Sequence, residues 1–415
     1  MKVLILTIVF FYIFPIFPSF LPIPLDRVIQ GMAFIYLGFN IRNSKIIFTN
    51  RVFWGCFLLS LSLLLVSTLA QLRNLGNMEF SIIKDSLNLI LYLISSSFIV
   101  FLIKDNWKNF TVTTVLDLIV TVGLLQAVLS LTFFFFPSLF EYYIGFINAE
   151  ANMGLIKRVN LIELRLIGVG NAFFNGVIKY GVIFIILTYL KYDERSFFKD
   201  RTTLYFVSYS LLLCAGVMTG RTFFLAIALS LLYFFGQESK RLLAFTFKSL
   251  GYGAVLLFFL IIIISIFSNF IDGNRAEKVK DFVFEIFINY EETGQLRTNS
   301  SDKTADMYVL PDNRKTWLFG DGKFMDSGGS YYKGTDVGYL RYIYYFGIIG
   351  TSVFFFVQYK IVNWIASFNY SKAFSKLIYF LFFWILILNF KGIAYLDQFS
   401  ALLLVSLIIS NKNRA

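Results

Sequence analysis

SNFIDGNRAEKVKDFVFEIFINYEETGQLRTNSSDKTADMYVLPDNRKTWLFGDGKFMDSGGSYYKGTD (residues 268–336) runs directly into VGYLRYIYYFGIIGTSVFFFV (337–357), and the contrast between the two decides how the chain is read. The first is polar and glycine-rich, the second almost wholly apolar. Most of the remaining sequence resembles the second: of 415 residues 58% are hydrophobic and only 15% charged, with a mean hydropathy of +0.71. An ordinary soluble chain carries about 25% charged residues. Runs of roughly 17–25 apolar residues, enough to cross a bilayer core, recur along the sequence. They are apolar on every side, unlike the alternating strands of a barrel. The fold class this predicts is an all-α polytopic integral membrane protein. It has about twelve transmembrane helices and a large extracytoplasmic loop, and residues 1–415 form a single multi-span membrane domain.

Working outward from the polar stretch, spans are expected near 1–24, 28–40, 52–70, 84–103, 111–136, 172–190, 202–218, 222–236, 249–268, 338–358, 377–390 and 398–410. Pro15, Pro18, Pro22 and Pro24 stand where a signal-peptide cleavage site would need small residues, so the first run reads as a retained span. The net charge of +12 is distributed as a membrane protein distributes it. Lys and Arg collect in alternate connections, such as Lys191, Arg195, Lys199 and Arg201, while the opposite connections hold few. The positive-inside rule then places both termini in the cytoplasm. It puts a medium loop, 137–171, and the large loop, 269–337, on the outer side. No basic face interleaved with aromatics accompanies the charge, so no nucleic-acid partner is expected.

The large loop is not uniform. Val279, Phe282, Val283, Ile286, Phe287 and Tyr290 recur at helical spacing, predicting an amphipathic helix. Residues 293–306 have the composition of a flexible segment. Beyond Pro311 aromatics and glycines alternate with charges, as in a compact folded loop. The sequence contains no histidine, which removes the commonest general base and metal ligand. Cys56 and Cys214 lie inside apolar runs and offer no disulfide framework. Neither a metal nor a cofactor is expected.

Four charged positions stand at the predicted outer membrane level. Arg165, in ELRLIGVGNAFFNG, is either an interfacial anchor, a partner for Glu163, or a guanidinium aimed at a phosphate. Arg221, in MTGRTFFLAIALSLL, sits in a hairpin so short that Gly216 and Gly220 must let backbones approach closely. Asp336 precedes the span at 338, where it reads as a helix cap or as a residue orienting a sugar hydroxyl. Arg341 lies about one turn inside that span. Arg314 and Lys315 add weaker positive charge. FGDGKF lacks the Gly-Lys-Ser/Thr ending of a phosphate loop and reads as a turn built on Gly320 and Gly322.

This pattern resembles the Wzy-type O-antigen polymerases and the related O-antigen ligase superfamily, which share about a dozen spans, two outer loops and essential outer arginines. Arg165 followed by ten residues and Gly176 matches the family's Arg–ten–Gly pattern. TGRTFF is similar to the element with an arginine that opens a span. LFGDGKF with TDVGYLRYIYYFGIIG resembles the Gly-x-Gly, Asp-x-Gly-Tyr and Gly-Ile-x-Gly signature after the large loop, which includes Tyr339. A second Arg–ten–Gly match is missing, since Arg275, Arg297 and Arg314 have Ile286, Tyr308 and Met325 at that distance. Ligases of this superfamily are expected to use a late histidine, and its absence favours polymerase over ligase.

The resemblance implies a bacterial inner-membrane glycosyltransferase. It would move a growing glycan from undecaprenyl pyrophosphate to the sugar end of another lipid-linked repeat unit. Arg165 and Arg221 would stabilise the leaving pyrophosphate, with Arg341 or Arg314 assisting. Asp336 would position or deprotonate the acceptor hydroxyl, and Tyr339 and Gly176 would contribute to substrate binding. The implied partners are lipid-linked glycans, membrane lipid and a chain-length regulator protein. The alternatives are an O-antigen ligase and a lipid-linked oligosaccharide flippase or other transporter, because twelve spans with both ends inside is also transporter architecture. Mid-span polar residues, which a transporter would need, are few: Asp117, Gln126 and Lys179.

Overall fold

The structure is a computed structural model that describes residues 1–74, 79–148, 165–238, 281–282, 284–285, 288–295, 297–326, 329–368, 370–395 and 397–412. The described residues form helices and turns, with isolated bridges in place of strands. In chain order the helices are α1 (Lys2–Ile13), α2 (Leu25–Phe39), α3 (Ile41–Phe48), α4 (Arg51–Gln71), α5 (Ser81–Asn106), α6 (Val112–Phe135) and α7 (Pro137–Phe146). After these come α8 (Phe173–Leu190), α9 (Thr202–Thr219), α10 (Phe223–Glu238), α11 (Asn299–Asp306) and α12 (Arg314–Phe319). The last three are α13 (Gly338–Ser367), α14 (Lys372–Leu388) and α15 (Asp397–Lys412).

Among the described residues six helices are long and apolar enough to cross a membrane: α4, α5, α6, α8, α9 and α13. These helices mark the chain as an α-helical membrane protein. On α4 much of the apolar surface has no protein against it, with Leu58 and Leu65 each 62% exposed; lipid is the medium that accepts such a face. Serines within the spans are satisfied by their own helix. Ser60, Ser67 and Ser97 each donate to the carbonyl four residues back, so these three hydroxyls are not left bare in hydrocarbon.

The other expected spans with described residues form helices of fewer than 18 residues. The run at 1–24 becomes a helix of 12 residues, roughly 18 Å long at the α-helical rise, because the prolines beyond it lack the N–H that would continue the ladder. The run at 28–40 is a helix of 15 residues, that at 377–390 one of 17, and those at 222–236 and 398–410 are helices of 16. The run at 249–268 lies outside the described residues.

The chain divides into two compact units, each assembled from separated segments: Met1–Val28 with Thr113–Thr298, and Ile29–Val112 with Asn299–Ala415. In the first, α8 is the core. Every residue from Gly176 to Leu190 is buried, and α9 and α10 pack against it. In the second, α13 packs on α4, α12, α14 and α15, while α5 packs on α4 and α15.

The large loop is split between the units. Its described residues between 281 and 293 are helical, with Phe282 buried and Tyr290 exposed; Val279, Val283, Ile286 and Phe287 fall outside the described residues. The flexible segment expected at 293–306 is corrected over its second half, which is α11. Asp302 lies in the first turn of that helix, where the helix dipole favours a negative charge. The Lys391 ammonium donates to Ser300 Oγ at 3.0 Å. The medium loop contains α7 and a tight turn at 166–171, and residues 149–164 lie outside the described set.

α13 is broken at Gly347, whose φ of 68° no helix allows. The carbonyls exposed by the break are taken up by the FGDG turn: Asp321 N–H donates to Tyr344 O at 2.6 Å, and Gly322 N–H to Tyr345 O at 3.2 Å. Gly320 (φ 72°) meets this backbone so closely that a Cβ there would strike the Tyr345 carbonyl. The Gly-x-Gly turn and the glycine in the following helix are thus two halves of one joint, which satisfies backbone groups a kink would otherwise orphan.

Candidate functional site

Arg165 and Arg221 are brought together, and the mechanism is visible in the backbone of the first unit. Leu166 N–H donates to Met218 O at 3.1 Å, pinning the residue after Arg165 to the last turn of α9. The stretch beyond it folds back, with Gly168 N–H donating to Asn171 O at 2.8 Å. Gln126 Nε2 on α6 donates to Val169 O at 3.0 Å, and Gly170 N–H donates to the Tyr143 hydroxyl on α7 at 3.0 Å. Arg221 follows α9 immediately, in a turn that Gly216 permits because the Phe223 ring occupies the space of its missing side chain. Gly176 lets α8 approach this turn: a Cβ there would lie 2.5 Å from Thr219 Cγ2. The spacing from Arg165 to Gly176 therefore has a packing meaning. Gly176 is the seat of the hairpin that carries the second arginine.

The two guanidiniums share one aromatic ring. Arg165 Cζ lies 5.0 Å from the centroid of Phe282, and Arg221 Cζ lies 4.9 Å from the same centroid. Arg221 also pairs with the Glu285 carboxylate, one helical turn beyond Phe282. Burial, and then the positive charge of Arg165, pull the Arg221 guanidinium below its ordinary pKa. Phe282 and Glu285 come from the large loop, and the sequence gives no direct sign that they meet these arginines. Among the described contacts the arrangement brings two cations, a carboxylate and an aromatic face together, and each guanidinium can grip a phosphate through two N–H groups.

The second unit holds a different centre. Arg341 is 8% exposed, with Cζ 3.7 Å from the Phe324 centroid and 4.3 Å from that of Tyr331. Its Nη1 donates to Asp336 Oδ1 at 3.4 Å, while Nε and Nη2 are buried without a hydrogen-bond partner among the described residues. The strand-like pair Met325 and Tyr331 closes the turn that carries both rings. Glu79 accepts from Phe324 N–H and Met325 N–H, at 2.7 and 3.1 Å, and so ties that turn to the start of α5. The capping reading of Asp336 is corrected: Val337 is the N-cap of α13, and the Asp336 carboxylate faces Arg341 instead.

Two predicted residues stand apart from both centres, and a third only packs against the first. Tyr339 is fixed to α14, where its hydroxyl donates to Leu386 O at 2.8 Å and its ring packs on Phe355 and Phe390. Arg314 is exposed at the start of α12 and, among the described contacts, joins neither arginine centre. Gly176 is a packing residue. The mid-span polar residues also have local partners. Asp117 accepts from Ser196 Oγ and from Phe197 N–H, and the Lys179 ammonium lies over the Phe14 ring.

A polar cleft of about 410 Å³ opens in the second unit between the FGDG turn and the start of α13. Arg73 reaches its edge, donating to Phe319 O at 3.0 Å with the guanidinium 4.6 Å from the Phe319 ring. Inside, Asp321 accepts from Thr316 Oγ1 at 2.6 Å and from the Tyr332 hydroxyl at 3.2 Å. Burial, and then Asp321, push the Tyr332 phenol up to about 12. Sequence reading missed this cleft; the run of aromatics among charges after Pro311 was its one visible signal. Among the described residues no group of three or more Cys, Asp or Glu side chains is placed to hold a metal ion. No family model matches the chain, and neither a curated protein nor a solved structure matches it.

Proposed function

We propose that the chain is a Wzy-type polysaccharide polymerase. In this reading about twelve segments span the bacterial inner membrane, both termini are cytoplasmic, and the arginine centres face the outer side. The enzyme joins undecaprenyl-pyrophosphate-linked repeat units, with a chain-length regulator protein as a further partner. The observation that carries the reading is the meeting of Arg165 and Arg221 on the ring of Phe282, from segments 56 positions apart in sequence.

The chemistry follows from that geometry. An acceptor hydroxyl attacks the donor's anomeric carbon and gives up its proton to solvent, the bond to the pyrophosphate oxygen breaks, and negative charge grows on the leaving group. Two guanidiniums held close together against their own repulsion are poised for such a charge. One preorganised donor of this kind is typically worth about 2.7–4 kcal/mol in the barrier. Glu285 stands on Arg221 as an internal anion, and we read its carboxylate as marking where a phosphate oxygen binds.

Polysaccharide banding in cells carrying Arg165→Ala or Arg221→Ala, with protein levels checked in membranes, tests the reading. Collapse of the ladder to a core bearing a single repeat unit, at normal protein abundance, supports polymerisation. Loss of that single unit as well points to ligation or flipping, and an unchanged ladder removes both arginines from the site.

A further inference from the structure

The cleft beside the FGDG turn has a composition that the leaving-group chemistry does not use. Its volume, about 410 Å³, falls within the range of small-molecule sites, about 300–1,000 Å³. It is lined by Asp312, Asn313 and Asp321, groups that pair with hydroxyls, and by the rings of Tyr332 and Tyr344. The two rings meet edge to face at 5.5 Å, and their hydroxyls are already committed, to Asp321 and to Val309 O. What remains for a ligand is a fixed aromatic surface beside fixed carboxylates.

Three cations also line the cleft: Arg73 at the edge, and Lys323 and Lys333 with ammonium nitrogens 5.7 and 5.8 Å from the centroid of Tyr332. Among the described residues neither lysine makes an ion pair, although the cleft contains two carboxylates. Lys333 also adopts φ +56°, a left-handed conformation unusual for a residue with a side chain. Strain of this kind persists where surrounding structure holds it, and it clusters at ligand sites. Glycine would relieve it, yet the chain keeps a lysine.

We propose that this cleft binds a saccharide bearing a carboxylate, as in a uronic acid. Its hydroxyls pair with Asp312, Asn313 and Asp321, and its charge lies between Lys323 and Lys333 beside Tyr332. Two aspartates beside three cations make a mixed lining, which suits a saccharide with a single charge better than a dense polyanion such as pyrophosphate. The source of such a saccharide, the glycan repeat unit, rests on the polymerase reading; the binding itself does not.

The full chain, purified in detergent, is titrated with a tetrasaccharide of alternating glucuronic acid and N-acetylglucosamine. Neutral tetra-N-acetylchitotetraose and sodium pyrophosphate are titrated in parallel, with saturation-transfer NMR as the readout. The acidic tetrasaccharide is expected to bind at least tenfold more tightly than the neutral one, and Lys323→Gln with Lys333→Gln to remove that preference. Lys333→Gly should weaken acidic-saccharide binding severalfold while the melting temperature stays level or rises, a split that loss of fold cannot produce. Equal binding of the two saccharides, pyrophosphate binding as tight as that of the acidic saccharide, or no binding at all would each overturn the proposal. Banding from Arg221→Ala cells reports on polymerisation alone, so the two readings fail separately.

Discussion

The arginine centre at Phe282 and the one at Arg341 are both built on aromatic rings, but they distribute charge in opposite ways. At Phe282 two guanidiniums share one ring, and one of them pairs with Glu285. At Arg341 one guanidinium lies between two rings and faces Asp336. An aromatic face attracts a cation with about 2 kcal/mol or more when the site is desolvated. The second centre has two such faces for one charge and works as a joint between the late loop and α13. The first gathers two guanidiniums on one ring, and each can grip a phosphate through two N–H groups.

The largest effect that would break this comparison is on activity. Arg165→Ala and Arg221→Ala should each reduce polymer formation about 10²–10³-fold, the cost of one lost donor to developing charge. Membrane levels should stay near normal, as read by blotting. Arg341→Ala should do the reverse first, lowering the melting temperature of the purified protein by removing a buried cation from between two rings. Arg341→Lys should not restore it, because a compact ammonium cannot stack as a flat guanidinium does. Equal loss of activity at full stability for all three would erase the distinction between the centres.

Next in size is the joint itself. Gly347→Ala places a Cβ against the backbone of Leu318 and Phe319 at φ 68°, and strain at such a position costs on the order of 1–3 kcal/mol. A fall in melting temperature is expected. An unchanged value would show that the kink and the FGDG turn are not coupled.

A smaller and more specific effect sharpens the first centre. Gly176→Ala should reduce activity by pushing α8 away from Thr219, since overpacking costs roughly 1–3 kcal/mol. Adding Thr219→Ser removes the offending methyl while keeping the hydroxyl that donates to Ala215 O, so the double variant should recover most of the loss. Failure of that rescue in the banding assay would separate Gly176 from the Arg221 turn. Smallest of all, Glu285→Gln should change activity only a few-fold, because the amide keeps the shape of the contact and removes only the charge that a bound phosphate oxygen would replace. A change as large as that of Arg221→Ala would make Glu285 part of the chemistry instead of a stand-in for the anion.

Hydropathy by itself was enough to specify a helical membrane protein, because a bilayer tolerates little besides helices in an apolar chain. It also marked Arg165 and Arg221, since an arginine at the edge of an apolar run demands a partner wherever the chain folds. It misjudged helix ends in both directions: the run at 1–24 holds a helix of 12 residues, while that at 377–390 holds one of 17. Composition measures how long a run stays apolar, while helix ends are set by local events such as the prolines after α1 and the Asn50 cap of α4.

Only the tertiary structure decided which groups meet. That Phe282 lies against both arginines, that Gly176 seats their hairpin, and that Asp336 faces Arg341 instead of capping α13 are contacts between separated segments. One continuous polar loop in sequence became two pieces, one serving each unit. The sequence determined what each segment must avoid, which is water for the spans and hydrocarbon for the loops. The partners were settled by packing, because an aromatic face or a missing Cβ acquires its meaning only from what lies against it.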